Sequence, residues 1–203
     1  GMNTVQQSGS CRLETSKDIA EGAAKMSRTK VQIQVDTDNH EILPNRPLSE
    51  LVQANMELVG PPQFTDSESE FARRLQKPLE AEFNKKFDQS LRDKIEPLPE
   101  NPEQHKGSTD VGDVSGHIPT GGLGTVCFIA EGPGHSWQNV ATIGSSIGHK
   151  GTIVAAKVLA ATAVDLLENP KQLEAARKDF DERMKDKNYT TLIPKGQKAP
   201  KSI

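Results

Sequence analysis

A short apolar segment between glycines places the strongest constraint on the fold. Residues 125–130 (TVCFIA) are almost wholly apolar, with Gly124 before them and Gly132 after them. Such a run is typical of a strand buried on both faces, as in a parallel or mixed sheet. Residues 31–35 alternate apolar and polar side chains, which predicts a second, half-buried strand. With the helices predicted below, the chain is expected to be α/β or α+β.

Apolar residues at helical spacing predict several helices between and around these strands. The capping sequence Thr65-Asp66-Ser67-Glu68 predicts a helix that begins near Asp66, and Pro78 is expected to break or kink it. A second, polar helix is expected over residues 80–95. The other predicted helices span residues 13–26, 48–59, 147–167 and 170–185.

Charge and composition argue against several classes of protein. The 25 Lys and Arg residues nearly balance the 28 Asp and Glu residues, so the net charge is −3 and no basic face for nucleic acid is evident. Lys157 interrupts the most apolar helical stretch, so no membrane span is expected. Two distant cysteines and the lack of an apolar leader favour a reducing cytoplasm. We therefore predict a cytoplasmic protein that binds neither nucleic acid nor membrane.

Candidate functional residues concentrate in one glycine-rich stretch. Residues 107–151 hold 11 of the 16 glycines, and four of the five histidines lie within residues 105–149. Asp110 and Asp113 are three residues apart and either face one cavity or cap turns. His135 follows the predicted central strand, where ligands bind in α/β sheets, and a structural role is equally open. His149 lies at a predicted helix start, where a histidine more often caps or packs than binds a ligand. A structural role is likewise favoured for His105 and His117, which lie in predicted loops.

Three motifs of well-known enzymes fail on inspection. Gly134-His-Ser136 lacks the second glycine of a nucleophile elbow and precedes no predicted helix, so Ser136 is a poor nucleophile. Residues 148–152 (GHKGT) have the glycine and lysine in the wrong order for a phosphate-binding loop. Residues 121–124 (GGLG) precede a predicted strand, whereas a dinucleotide-binding loop follows one.

Several motifs in order nevertheless resemble one family, over about residues 12–200. The chain is similar to the dinuclear-zinc amidohydrolases and peptidases that include carboxypeptidase G, in particular to their aminobenzoyl-glutamate utilisation protein B branch. The resemblance implies an α/β fold: a partial zinc-exopeptidase-like catalytic domain with a remnant of an α+β lid or dimerisation domain. It implies that residues 1–46 are the lid remnant and 47–203 the C-terminal catalytic segment. The motifs are residues 19–24 (IAEGAA), 28–31 (RTKV), 43–45 (LPN), 107–115 (GSTDVGDVS), 119–120 (PT), 132–138 (GPGHSWQ), 145–151 (SSIGHKG) and 155–157 (AAK).

The resemblance also implies roles for individual residues. His135 is the expected zinc ligand, with His149 as the alternative. Asp110 and Asp113 would lie near the metals or contact substrate, while Asn45 and His40 would contact substrate from the lid. Gly116-His117 stands where the branch usually has tryptophan, so the wall of the pocket differs there.

Other metal-binding motifs of the family are absent from these 203 residues. The family holds two zinc ions through a His-x-Asp pair, a Glu-Glu pair and further ligands, and this chain has neither pair. We therefore expect a truncated hydrolase-family protein that does not hydrolyse amides alone and that needs a separate N-terminal fragment. The alternatives are a non-enzymatic module that forms a homo-oligomer and a metal-free binder of small molecules.

Overall fold

A computed structural model describes residues 4–101, 109–191 and 193–198, with side chains from residue 13 onward. His105 and the first two residues of the 107–115 motif lie outside the described residues. The chain divides into two compact units, and each is described by itself. The first comprises residues 1–43, 105–119 and 178–203, and the second comprises residues 44–104 and 120–177.

Seven α-helices form the regular structure of the described residues. Two of them, α4 and α5, were not predicted, whereas the predicted helices 13–26, 48–59, 147–167 and 170–185 are confirmed within a few residues, apart from a longer first helix. No described helix is both long and apolar enough to cross a membrane. The helices are α1 (Thr4–Ser27), α2 (Arg46–Val59), α3 (Asp66–Phe83), α4 (Val111–Ser115), α5 (Trp137–Ile143), α6 (Ser146–Glu168) and α7 (Pro170–Met184).

Helix α3 confirms the predicted capping box. The Thr65 side chain accepts a hydrogen bond from the Glu68 amide, and the Glu68 carboxylate accepts one from the Thr65 amide. The prediction of a break at Pro78 is wrong, because the helix continues to Phe83. Asn84 then ends it in the left-handed conformation, with φ of 48°.

The predicted helix over residues 80–95 is also wrong beyond Phe83. Side chains from α3 satisfy the backbone of this irregular segment in place of helical hydrogen bonds. Arg73 donates to the Phe87 carbonyl at 2.8 Å, and Gln76 donates to the Gln89 carbonyl at 2.8 Å. The segment is thereby held with Phe87 buried in the core.

The core of the second unit lies among α3, the segment after it and the start of α6. Helix α6 packs against α2 and α5, and α5 also packs against α3. The core is formed by Ala72, Leu75, Leu79, Phe87, Leu91, Ile129 and Ile147.

Residues 31–35 and 125–130 are not strands in the part of the chain that the structure describes. A strand needs a neighbouring strand to accept and donate its backbone hydrogen bonds, and neither segment has one there. Residues 125–130 nevertheless pass close to α6, since a Cβ at Gly151 would lie 2.4 Å from the Val126 carbonyl oxygen. The predicted α/β class therefore stays a prediction, as does the division into residues 1–46 and 47–203.

Candidate functional site

The first unit brings two of the predicted site residues together. Helix α4 carries Asp113, and residues 40–43 run against this helix. The Leu43 amide donates to the Ser115 hydroxyl at 2.8 Å. A Cβ at Gly112 would lie only 1.8 Å from the His40 carbonyl oxygen, so this close approach requires glycine.

One oxygen of Asp113 is the centre of a hydrogen-bonded cluster. Its Oδ1 accepts the Tyr189 hydroxyl at 2.8 Å and faces His40 Nδ1 at 2.9 Å. His40 Nε2 lies 3.0 Å from the carbonyl oxygen of Thr190. Both ring nitrogens of His40 thus face oxygen atoms, and the tautomer of the ring decides which of them donates.

Tyr189 lies between two histidine rings. Its ring centroid is 4.4 Å from that of His40 and 4.3 Å from that of His117. We call Asp113, His40, Tyr189 and His117 the Asp113 cluster. A Cβ at Gly116 would lie 2.9 Å from the Tyr189 ring, so a second glycine of the 107–116 region makes room for this arrangement.

The hydrogen bonds of the cluster shift the pKa of two of its members. Partial burial raises the pKa of Asp113, but hydrogen bonds from Tyr189 and His40 outweigh it and lower the pKa overall. The hydrogen bond to Asp113, together with burial, raises the pKa of Tyr189 to about 12. Asp113 is therefore an ionised carboxylate, and Tyr189 is a neutral donor at physiological pH.

The second oxygen of Asp113 is available to a ligand. All three hydrogen bonds to this carboxylate, including one from the His40 amide at 3.4 Å, go to Oδ1. Oδ2 has no donor among the residues that the structure describes, and the side chain is about one quarter exposed. The cluster can thus accept a hydrogen bond from an N–H or O–H group while His40 and Tyr189 fix the carboxylate in place.

The other two residues predicted to contact substrate, Asp110 and Asn45, are not members of this cluster. Asp110 is exposed just before α4 and makes no side-chain capping bond. In the second unit, the buried Asn45 caps α2 by accepting from the Leu48 amide at 3.1 Å. Its amide nitrogen also donates to the Ala176 carbonyl at 2.8 Å. The predicted contacts of Asp110 and Asn45 with substrate stay predictions.

His135, the expected zinc ligand, is exposed in the loop before α5. Ser136 follows it and caps α5 by accepting from the Asn139 amide at 3.3 Å. A helix does begin after Ser136, contrary to the sequence prediction, and the hydroxyl serves it as a cap. The Asn139 side chain donates to the carbonyls of Pro133 and Gly134, which fixes the backbone of the loop just before His135.

His149, the alternative ligand, is exposed near the start of α6. Among residues 4–101, 109–191 and 193–198, no three His, Cys, Asp or Glu side chains are arranged to hold a metal ion. A zinc site needs three or four protein ligands at fixed geometry. The described residues therefore do not fit a zinc ion by themselves.

Part of the 145–151 motif serves an ion pair inside the second unit. Lys150 Nζ donates to Glu68 at 2.7 Å and to the Gln63 carbonyl at 2.9 Å. Ser146 donates to the other Glu68 oxygen. Burial raises the pKa of Glu68, but hydrogen bonds from Lys150, Ser146 and Thr65 outweigh it and lower the pKa to about 2. Lys150 thus joins α6 to the start of α3.

Sequence reasoning misses the roles of Tyr189 and Glu68. Tyr189 is the single tyrosine of the chain and belongs to no motif, so its rarity is the only signal that the sequence offers. Glu68 is recognisable as part of a helix cap, and nothing in the local sequence indicates its contact with Lys150, 82 residues away.

Comparison with known proteins identifies a relative of this chain. The chain is 31% identical, over an alignment of 197 residues, to one of the subunits of p-aminobenzoyl-glutamate hydrolase from Escherichia coli (strain K12). The alignment covers 87% of this chain and 41% of that subunit, so the chain spans about two fifths of the relative's length. No family model and no solved structure matches. The motifs of the glycine-rich region and this similarity agree in relating the chain to this p-aminobenzoyl-glutamate hydrolase subunit.

Proposed function

We propose that this chain contributes part of an amide-hydrolysing catalytic fold that acts on small amides of the aminobenzoyl-glutamate type. The observation that carries the proposal is the similarity to a subunit of such a hydrolase. The Asp113 cluster supports it, because Asp113 Oδ2 is positioned to accept an N–H group of a small substrate. Its partners would then be the small-molecule amide and the residues that complete the catalytic fold.

We propose further that the chain does not hydrolyse amides by itself. Hydrolysis by a zinc-bound water needs several ligands and a general base. This sequence has no His-x-Asp and no Glu-Glu pair, and its described residues group no three metal-binding side chains. Further ligands for any zinc near His135 must come from residues outside this sequence, in the same protein or in another subunit.

Complementation tests both parts of this proposal. The purified chain is assayed with p-aminobenzoyl-glutamate and zinc, alone and mixed with the part of the Escherichia coli subunit that the alignment leaves uncovered. We expect no turnover alone and turnover in the mixture. His135→Ala should abolish this turnover and lower the zinc content, whereas His149→Ala should leave both unchanged.

Each part has an outcome that would contradict it. Turnover by the chain alone would refute the need for added ligands. If the mixture stays inactive although the two polypeptides bind each other, the assignment to amide hydrolysis is wrong. Loss of zinc in His149→Ala but not in His135→Ala would identify His149 as the ligand.

The α/β fold class is part of the same proposal. Residues 31–35 and 125–130 have strand-like sequences, and the described residues offer them no neighbouring strand. We propose that each segment, within its own unit, pairs with strands that lie outside this sequence. Amide hydrogen exchange at 125–128 should slow at least tenfold when the complementing polypeptide is added, and unchanged exchange would contradict the sheet.

Self-association is a second candidate, favoured by the apolar surface of α5 and α6. Trp137 and Val140 are 62% and 71% exposed, and Leu167 is 83% exposed. Several exposed apolar side chains on neighbouring helices are typical of a surface that a partner covers on association. A homo-oligomer at micromolar concentration that becomes monomeric in Val140→Glu would support this candidate, and a monomeric wild type would contradict it.

A further inference from the structure

A cavity in the second unit has the size of one small organic molecule. It has a volume of about 160 Å³ and lies beside the end of α2, the middle of α6 and residues 92–96 and 124–126. A protein cavity of about 150 Å³ with apolar walls is large enough to hold benzene. The volume therefore fits a ligand with a single ring.

The walls of this cavity are mainly apolar. Met56 of α2 and Val154 of α6 line it, together with Ile95 and Val126, and Pro61 and Pro62 add further apolar surface. Met56, Ile95, Val126 and Val154 come from four separate segments, so the cavity depends on the packing of these segments against one another. Apolar walls favour the body of a ligand over water.

Charged residues at the same cavity indicate the sign of the ligand. Arg92 and Lys94 both line it, and neither has an ion-pair or hydrogen-bond partner among the residues that the structure describes. Glu96 also lines it and is the single acid there, so the formal charge of the lining is +1. Small-molecule sites commonly combine apolar walls with a few charged groups that fix orientation.

We propose that this cavity binds a small monocarboxylate with an apolar body of about one ring. The ring lies against Met56, Val126 and Val154, and the carboxylate lies toward Arg92 and Lys94. The cavity contains neither His135 nor any member of the Asp113 cluster, so binding here is independent of amide hydrolysis and of zinc.

Benzoate and benzamide provide a matched pair of probes, because they share shape and differ in charge. Titrations of the full chain, followed by NMR, should give a Kd for benzoate of about 1 mM, as expected for a ligand of this size. Benzamide should bind at least threefold more weakly. Equal affinity for the two probes, or no saturable benzoate binding, would overturn the proposal.

Variants at the cavity test its location. Arg92→Gln and Lys94→Gln should each weaken benzoate binding about two- to fivefold, as removal of a solvent-exposed charge does. Glu96→Gln should strengthen it about twofold. Lys157→Gln is the matched control, since this exposed lysine lies on α6 and does not line the cavity. If Lys157→Gln weakens benzoate binding as much as Arg92→Gln does, the affinity reflects the overall charge of the protein and the cavity is not the binding site.

Filling the cavity gives a test of shape. Val154→Trp should abolish benzoate binding, and Val154→Met, a milder change, should weaken it. Retained affinity in a folded Val154→Trp variant would place the ligand elsewhere. The Glu96→Gln variant tests the proposal even if Val154→Trp fails to fold. If benzoate does not bind more tightly to Glu96→Gln than to wild type, the proposal is wrong.

Discussion

Replacing Glu68 with glutamine removes the charge that joins α3 to α6. In the folded chain this carboxylate accepts hydrogen bonds from Lys150, Ser146 and Thr65, and its side chain is only 10% exposed. Its pKa is lowered from 4.5 to about 2. Each pKa unit corresponds to about 1.4 kcal/mol of preference for the ionised form.

The lowered pKa of Glu68 sets the size and the pH dependence of the stability loss expected in Glu68→Gln. A full shift of this size contributes about 3 kcal/mol at neutral pH, and glutamine keeps some of the hydrogen bonds, so Glu68→Gln should cost about 2–3 kcal/mol. Because the folded-state pKa is depressed, the contribution is complete above about pH 4.5 and is lost as the pH falls toward 2. The difference between wild type and variant should therefore shrink by more than half at about pH 3.

Urea unfolding followed by far-ultraviolet circular dichroism measures this difference. The signal reports unfolding because the regular structure of the described residues is helical, and both α3 and α6 lie in the unit that contains Glu68. Glu70→Gln is the matched control, since Glu70 is an exposed residue of the same helix. Equal destabilisation by the two variants, or a difference that does not change with pH, would refute the reasoning.

Three further predictions concern the Asp113 cluster, the close contacts around it and the cap of α2. Ultraviolet titration of Tyr189, the single tyrosine, should give a midpoint near its pKa of about 12, and Asp113→Asn should move it back toward 10; an unchanged midpoint would refute the hydrogen bond. Gly112→Ala should cost about 1–3 kcal/mol in thermal unfolding, whereas Gly22→Ala, in open space within α1, should stabilise by about 0.5–1 kcal/mol; equal effects would contradict the close approach. Asn45→Ala should cost about 2 kcal/mol in urea unfolding, from a lost cap and a buried hydrogen bond; a cost below about 0.5 kcal/mol would contradict both roles.

The helices could be predicted where their ends are encoded locally. Thr65 and Glu68 are three residues apart, so the cap of α3 is visible in a short window. The Asn45 cap of α2 was not predicted, and that helix begins two residues earlier than expected. The failure over residues 80–95 has the opposite cause. Phe87 and Leu91 have helical spacing, but α3 side chains and the Glu131 carboxylate satisfy the backbone there, the latter by accepting from the Asp88 amide 43 residues away.

The candidate site could be predicted only where a motif contained it. Asp113 and His40 were both predicted from the resemblance, and the structure joins them across 73 residues. Tyr189 lies 76 residues beyond Asp113 and outside every motif. Its role depends on the fold, because its ring fits only where Gly116 leaves room.

Residues 125–130 show why a strand-like sequence need not be a strand. An apolar sequence indicates that side chains are to be buried, and burial occurs at the end of this segment. Ile129 and Ala130 are each 4% exposed, whereas Phe128 is 43% exposed. The ladder of a strand depends instead on a second segment that offers complementary N–H and C=O groups. Ala130 donates to the Ser90 carbonyl at 2.9 Å, and the amides of residues 125–128 have no backbone acceptor within the described residues. A polypeptide that supplies the missing partner should therefore form a strand here without changing the buried side chains, which is why hydrogen exchange at these four amides is the most direct test of the proposed sheet.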